Sequence, residues 1–164
     1  MTRVGILSDT HCFLPEKTFD FFSSCDMIWH AGDIGNLETA ERLEKFKPLI
    51  AVYGNIDGQE LRTQYPEKQL IKVGQTRVFI THIGGMPAKY DAKAKKIIES
   101  SRPNIFVCGH SHICKVQYDQ KHKLLYINPG AAGKYGFHTK ITLLRFVIDG
   151  SNLKDMEILE LDKH

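Results

Sequence analysis

Short apolar runs, each followed within a few positions by a polar residue, recur along the first two thirds of the chain. VGIL leads to Asp9, MIW to Asp33, LIAV to Asn55, VFI to His82 and IFVC to His110. Runs this brief suit buried strands better than helices. They predict strands over 3–8, 27–30, 48–53, 76–82 and 104–108. Helices are expected at about 16–23 and 37–45, with Asn36 placed to cap the second and Pro48 to stop it. A third helix is expected over 88–100, where Tyr90, Ala94, Ile97 and Ile98 form an apolar face opposite Lys89, Lys93 and Lys96.

Hairpins punctuate the rest. Gly74-Gln75 joins strands 68–73 and 76–82, a basic turn joins 114–119 and 123–127, and Asp149-Gly150 joins 141–148 and 153–160. The piece between the GNID turn and Pro66 reads as irregular. Alternating βα units followed by hairpins predict an α/β chain with helices packed on sheets of mixed strand direction. Length fits one domain, residues 1–164, with no internal repeat or linker.

The polar residues at the strand ends carry the chemistry. Ligands in open α/β sheets bind beyond the carboxyl ends of the strands, so five strands can deliver Asp9, His11, Asp33, Asn55, His82, His110 and His112 to one place. Asp57 is a weaker candidate. Asp9 and His11 are two residues apart, as are His110 and His112, so in extended segments each pair would point one way. Single glycines before Asp33, Asn55 and His110 are expected to let the backbone turn sharply. Imidazole, carboxylate and amide donors together suit Mn, Fe, Zn or Ni, whereas Mg or Ca would prefer an all-oxygen shell.

Charge and cysteine content narrow the alternatives. A net charge of +3, from 22 basic and 19 acidic residues, is too mild for a nucleic-acid or membrane-surface partner. A nuclease would need a basic groove with stacking aromatics, and the single Trp29 falls inside a strand. No leader and no apolar stretch of about 20 residues is present, so a cytoplasmic location is expected. Cys12, Cys25, Cys108 and Cys114 form no C-x-x-C pair and read as core-filling thiols in a reducing compartment. Cys12 and Cys108, near His11 and His110, are alternatively soft donors to the site.

The ordered set D-x-H, G-D, G-N-x-D, a histidine and G-H-x-H resembles the signature of the calcineurin-like metallophosphoesterase superfamily. The small size, SDTH near residue 9 and INPG near residue 128 are similar to its compact bacterial and archaeal phosphodiesterases, over a span from Val4 to about Phe146. This resemblance implies a four-layer α/β/β/α sandwich of two mixed sheets flanked by helices. It implies two divalent transition-metal ions, with manganese first and nickel, iron or zinc as alternatives. Asp9, His11 and His112 would hold one ion, Asn55, His82 and His110 the other, and Asp33 would bridge them; Asp33, Asn55 and His110 would be catalytic. Two ions about 4 Å apart or less polarise a phosphoryl oxygen and hold a bridging hydroxide for in-line attack. The implied substrate is a small organic phosphodiester, nucleotide-derived ones among them, and a homodimer is compatible with the family.

The chain departs from the pattern at two points. Many members carry, after the G-N asparagine, a histidine that protonates the leaving group; here the residue is Ile56, which can supply neither a proton nor charge. The vacancy points away from efficient alkyl phosphomonoester hydrolysis and leaves Asp57 a structural role or a contact behind the ligands or with substrate. Relatives of the compact group carry H-G-H where this chain has His82-Ile83-Gly84. His30, Asn128 and His138 are candidates for contacts behind the ligands or with substrate, and Lys134, His138 and Lys140 sit in a Gly-rich loop over 130–140. Two alternatives remain open. One is a phosphomonoesterase; the other is an interaction scaffold similar to a retromer subunit, whose metal site is degraded, whereas this chain keeps every ligand type.

Overall fold

The computed structural model describes residues 1–163. Three βα units open the chain: β1 (Thr2–Leu7), α1 (Lys17–Phe21), β2 (Met27–His30), α2 (Leu37–Phe46), β3 (Leu49–Ala51) and α3 (Gln59–Gln64). A hairpin of β4 (Lys68–Val73) and β5 (Thr76–Thr81) follows, then a small ribbon of β6 (Gly85–Met86) and β7 (Lys89–Tyr90), and the helix α4 (Ala92–Ser101). β8 (Ile105–Val107) leads to two more hairpins, β9 (Cys114–Asp119) with β10 (Leu124–Pro129), and β11 (Lys140–Asp149) with β12 (Asn152–Asp162).

These strands form two five-stranded mixed sheets, in the orders β12-β11-β1-β2-β3 and β4-β5-β8-β10-β9. β1, β2 and β3 are parallel, as are β5, β8 and β10, while the outer pairs are antiparallel. Both faces of the central strands are buried, which explains their continuous apolar runs. Val4, Ile6 and Trp29 meet Val78, Ile80 and Val107 between the sheets. Phe22 and Leu43 pack with Leu7, Ile28 and Leu143 on the outer side of the first sheet, and Ala94 and Ile98 with Phe79 and Phe106 on the outer side of the second. The result is the expected order of helices, sheet, sheet and helix. No helix among the described residues is long and apolar enough to cross a membrane.

Two elements differ from expectation. Gln59–Gln64 is a helix where the sequence reads as irregular. It buries only Leu61 and has no side-chain cap, so it leaves neither an apolar stripe nor a start signal. The helix expected from 88 begins at Ala92, because the Asp91 side chain accepts from Lys93 N and Ala94 N and caps it there. Lys89 and Tyr90 pair instead with Gly85 and Met86, around an Ala88 turn at φ 75°. The Asn36 cap is formed, its side chain accepting from Thr39 N.

Candidate metal centre

The carboxyl ends of β1, β2, β3, β5 and β8 all run into loops that meet at one rim of the two sheets. Asp9 N donates to Gly32 O, His11 N to Asp33 O and Cys12 N to Ile34 O, lacing the loop after β1 to the loop after β2. Gly109 N donates to His82 O, tying the loops of the second sheet in the same way.

The backbone here is not extended. Asp9, His11, Asp33, His110 and His112 all have φ between 45° and 72°. Non-glycine residues seldom adopt this left-handed region, and its strain concentrates at functional sites. The i, i+2 pairs therefore converge through sharp kinks, and the expectation of extended segments is corrected. Gly32 turns sharply as expected, at φ 101°, but the role expected of the other two glycines changes. Gly54 and Gly109 do not have positive φ; they are needed because a Cβ would collide with Asp33 at the first and with Ser8 at the second.

Two groups of donor atoms assemble. Asp9, His11 and His112 offer atoms within 4.8 Å of one another, and so do Asp33, His82 and His110. Asp33 lies between the groups: its Oδ2 is 3.2 Å from His82 Nε2 and 3.5 Å from His11 Nε2. Asp9 Oδ1 is 3.3 Å from His112 Nε2. The Asn55 amide oxygen is 3.1 Å from His110 Nδ1, beside the second group. Asp9 Oδ1, His11 Nε2 and His82 Nε2 are buried with no hydrogen-bond partner among the described residues. Buried polar atoms are nearly always paired, so three orphans aimed at one small volume fit a divalent cation, and the mixed N/O donor set suits a transition metal.

The remaining donor capacity is directed away from that volume and is satisfied. Asp9 Oδ2 accepts from Ser8 Oγ and His110 N, and Asp33 Oδ1 accepts from Ile56 N at 3.0 Å. His82 Nδ1 donates to Ala31 O at 2.7 Å. Asp57, buried, accepts from the backbone N–H of Ile34, Gly35 and Gly54, clamping the loop of Asp33 to that of Asn55. Asn128, fully buried, donates to Gly109 O and Ser111 Oγ and accepts from Gly130 N, so it fixes the loop that carries His110 and His112. His30, also fully buried, accepts from Gly32 N at Nδ1 and donates from Nε2 to Thr10 Oγ1, which passes its own hydrogen to Ile34 O. None of these three points at the donor groups. His138 does reach one: its Nδ1 lies 3.3 Å from His112 Nδ1.

Electrostatics draw positive charge to the site. Burial alone would push the His82 imidazole down, yet the adjacent carboxylates of Asp33 and Asp9 carry it above its ordinary value. Burial would likewise raise the Asp33 carboxyl, but the His82 imidazole and the Ile56 N–H hold it below the usual range. The field that raises the His82 imidazole attracts a divalent ion equally, so metal uptake should release protons. The fully buried His30 moves the other way, down to about 4, chiefly through loss of hydration.

Some participants were not read from the sequence. Tyr135 stacks on His11, with ring centroids 5.0 Å apart, from a loop whose sequence offers no such signal. Ser8 and Ser111 sit beside expected ligands, and their adjacency was the available clue. Neither Cys12 nor Cys108 belongs to a donor group. Cys12 is exposed, contrary to the core-filling expectation, while Cys108 is buried with Sγ 3.3 Å from Tyr126 Oη, which directs it away from the rim.

The family profile described as the calcineurin-like phosphoesterase superfamily domain matches residues 2–151. A probable metallophosphoesterase of Methanocaldococcus jannaschii is 28% identical over 134 residues, covering 78% of this chain and 67% of its own. A phosphodiesterase of the same organism is 26% identical over 149 residues, covering 81% and 86%. Among solved structures, wild-type Vps29 of Entamoeba histolytica in complex with zinc superposes with a TM-score of 0.76 over 99% of both chains at 18% identity, a likeness of fold.

Proposed function

Since the chain belongs to the calcineurin-like phosphoesterase superfamily, whose members depend on divalent metal, we propose that it is a phosphodiesterase acting on small organic diesters with two transition-metal ions. The observation that carries this reading is the convergence of the orphaned atoms Asp9 Oδ1, His11 Nε2 and His82 Nε2. Asp9, His11 and His112 would hold one ion, and Asn55, His82 and His110 the other, with Asp33 shared. Manganese is the first candidate for both.

Bound there, two ions supply Lewis acidity toward a phosphoryl oxygen and a nucleophile at neutral pH. The chain supplies the geometry. Asp57, Asn128 and the Ser8–Asp9 bond hold the ligand loops against the strain of their left-handed residues. Ile56 puts a half-exposed aliphatic side chain where a proton donor would serve an alkoxide leaving group. Substrates whose leaving groups need no proton are therefore favoured, which supports diester over alkyl monoester turnover. The 26% identical relative named a phosphodiesterase agrees with this preference.

The test is to strip the protein of metal, reconstitute it with Mn, Ni, Fe or Zn, and compare an aryl phosphodiester with its monoester. Metal-dependent preference for the diester is expected. A preference for the monoester would overturn the substrate assignment. Absence of turnover with two ions bound would favour an interaction scaffold, a reading supported by the exposed Phe137 and by Tyr135, 71% exposed and stacked on His11.

A further inference from the structure

A cleft of about 580 Å³ shares Asn55 and His82 with the metal centre. Four basic side chains line it, Arg62, Lys68, Lys93 and Lys96, against only two acidic ones, Glu67 and Asp91. The Asp91 carboxylate is already engaged in capping α4 through Lys93 N and Ala94 N. Glu67 lies 3.5 Å from Lys93, both side chains well exposed, so that pair is weak. Among the described residues Lys68 and Lys96 have no carboxylate within 4.0 Å. The lysines that the helical pattern assigns to an ordinary solvated face thus look, in part, into a cleft of the reaction centre.

Arg62 is held ready. Its Nε donates to Asp57 O at 2.7 Å and its Nη2 to Asn55 O at 3.3 Å, while the guanidinium lies over the Tyr53 ring, 4.6 Å from its centroid. The two carbonyls fix the group next to Asn55, and its remaining N–H groups are free to bind an anion. Phe79, Ala94 and Ile97 add apolar wall to the same cleft. A second cleft of about 340 Å³, which shares His110 with the centre, is lined by Ile83, Met86 and Ile113 beside Lys89 and Lys115. The larger cleft is the more cationic of the two.

We propose that the larger cleft is a subsite for a second anionic group, a phosphate or carboxylate borne on one ester arm of the substrate. This rests on the diesterase reading and narrows it: the preferred substrate is a diester with an additional negative charge on the arm that lies along Arg62, Lys68 and Lys96. Phosphate and carboxylate would be received by the same chemistry, charge-assisted N–H bonds from Arg62 and unpaired ammonium groups.

The experiment uses two aryl phosphodiesters with the same leaving group, one whose second arm ends in a carboxylate and one whose arm ends in the methyl ester. Wild-type, metal-loaded protein is expected to prefer the charged arm by about tenfold in kcat/KM at low salt, shrinking as salt is raised. In the double variant Lys68→Gln/Lys96→Gln the preference should fall several-fold, Arg62 retaining part of it, while Lys154→Gln on the distant β11–β12 hairpin leaves it unchanged. A third ester ending in a phosphate should behave as the carboxylate does. Equal turnover of charged and neutral arms, or a preference undiminished in the double variant, would overturn the proposal. If neither ester is hydrolysed, the diesterase reading fails separately. The cleft is then tested by binding of the charged ester followed by amide NMR: salt-sensitive shifts at Lys68, Lys96 and Ile97 uphold it, and none refutes it.

Discussion

His112 and His138 meet nitrogen to nitrogen, Nδ1 to Nδ1, at 3.3 Å. The His138 Nε2 lies 2.7 Å from Gly133 O and must carry the hydrogen there, so its Nδ1 can only accept. His112 therefore donates from Nδ1, and its Nε2 lone pair is left facing Asp9 Oδ1. Burial holds the His138 imidazole below its ordinary value, which keeps it neutral and able to accept. One histidine sets the tautomer of the other.

Replacing His138 by Phe should lower metal affinity about 10–100-fold, the usual effect of losing a partner that orients a ligand. Titration calorimetry with manganese or zinc on the stripped protein reads this directly. Affinity equal to wild type would mean that His112 needs no such partner.

Asp33→Asn removes the carboxylate whose Oδ2 lies between His82 and His11 while keeping an oxygen for the Ile56 N–H. Turnover should fall by more than about 100-fold with the far-ultraviolet spectrum unchanged. Wild-type activity in this variant is incompatible with the proposed centre.

Asp57→Ala would strand the N–H groups of Ile34, Gly35 and Gly54 behind the ligand loops. At about 1–3 kcal/mol for each unpaired buried donor, a loss of at least about 3 kcal/mol is expected in urea unfolding. A loss under about 1 kcal/mol would show that water satisfies these groups.

His30 predicts an acid-side loss of stability in metal-free protein. The unfolded chain takes up a proton near 6.5, whereas the folded protein resists until about 4. Between these values the unfolded state holds more protons, so this contribution is complete above 6.5 and is lost as pH falls through 4. The shift corresponds to about 3 kcal/mol. His30→Gln should be less stable than wild type at pH 7, and the gap should close as the pH is lowered. A gap that stays constant with pH would remove His30 as its source.

Ile56→His tests the vacant acid. The side chain is 46% exposed, so the change should cost under about 0.5 kcal/mol. Turnover of an alkyl diester should rise by about 100-fold or more if the imidazole reaches the leaving oxygen. An aryl diester, whose leaving group needs no proton, should gain little.

The order and placement of the polar residues were legible because strand periodicity and strand-end position are local properties. Five apolar runs ending in D-x-H, G-D, G-N, H and G-H-x-H were enough to name the rim and the family. The Asn36 cap and the Gly74 and Gly150 turns were legible for the same reason, since each depends on a few neighbouring residues. α3 was not, because its single buried Leu61 leaves no pattern.

Tertiary structure alone decided the rest, through groups brought together across long separations. The left-handed backbone at Asp9, Asp33 and His110 is imposed by loops laced to one another, and no short window of sequence contains both partners. The roles of His30, Asp57, Asn128 and His138 depend on which backbone N–H or ring nitrogen each side chain finally meets. Lys68 and Lys96 read as surface charges until the fold sets them in one cleft with Asn55. Which residues carry the chemistry is written in the chain; how each is oriented, and what charge surrounds it, follows only from the packing of two sheets face to face with their strand ends at a common rim.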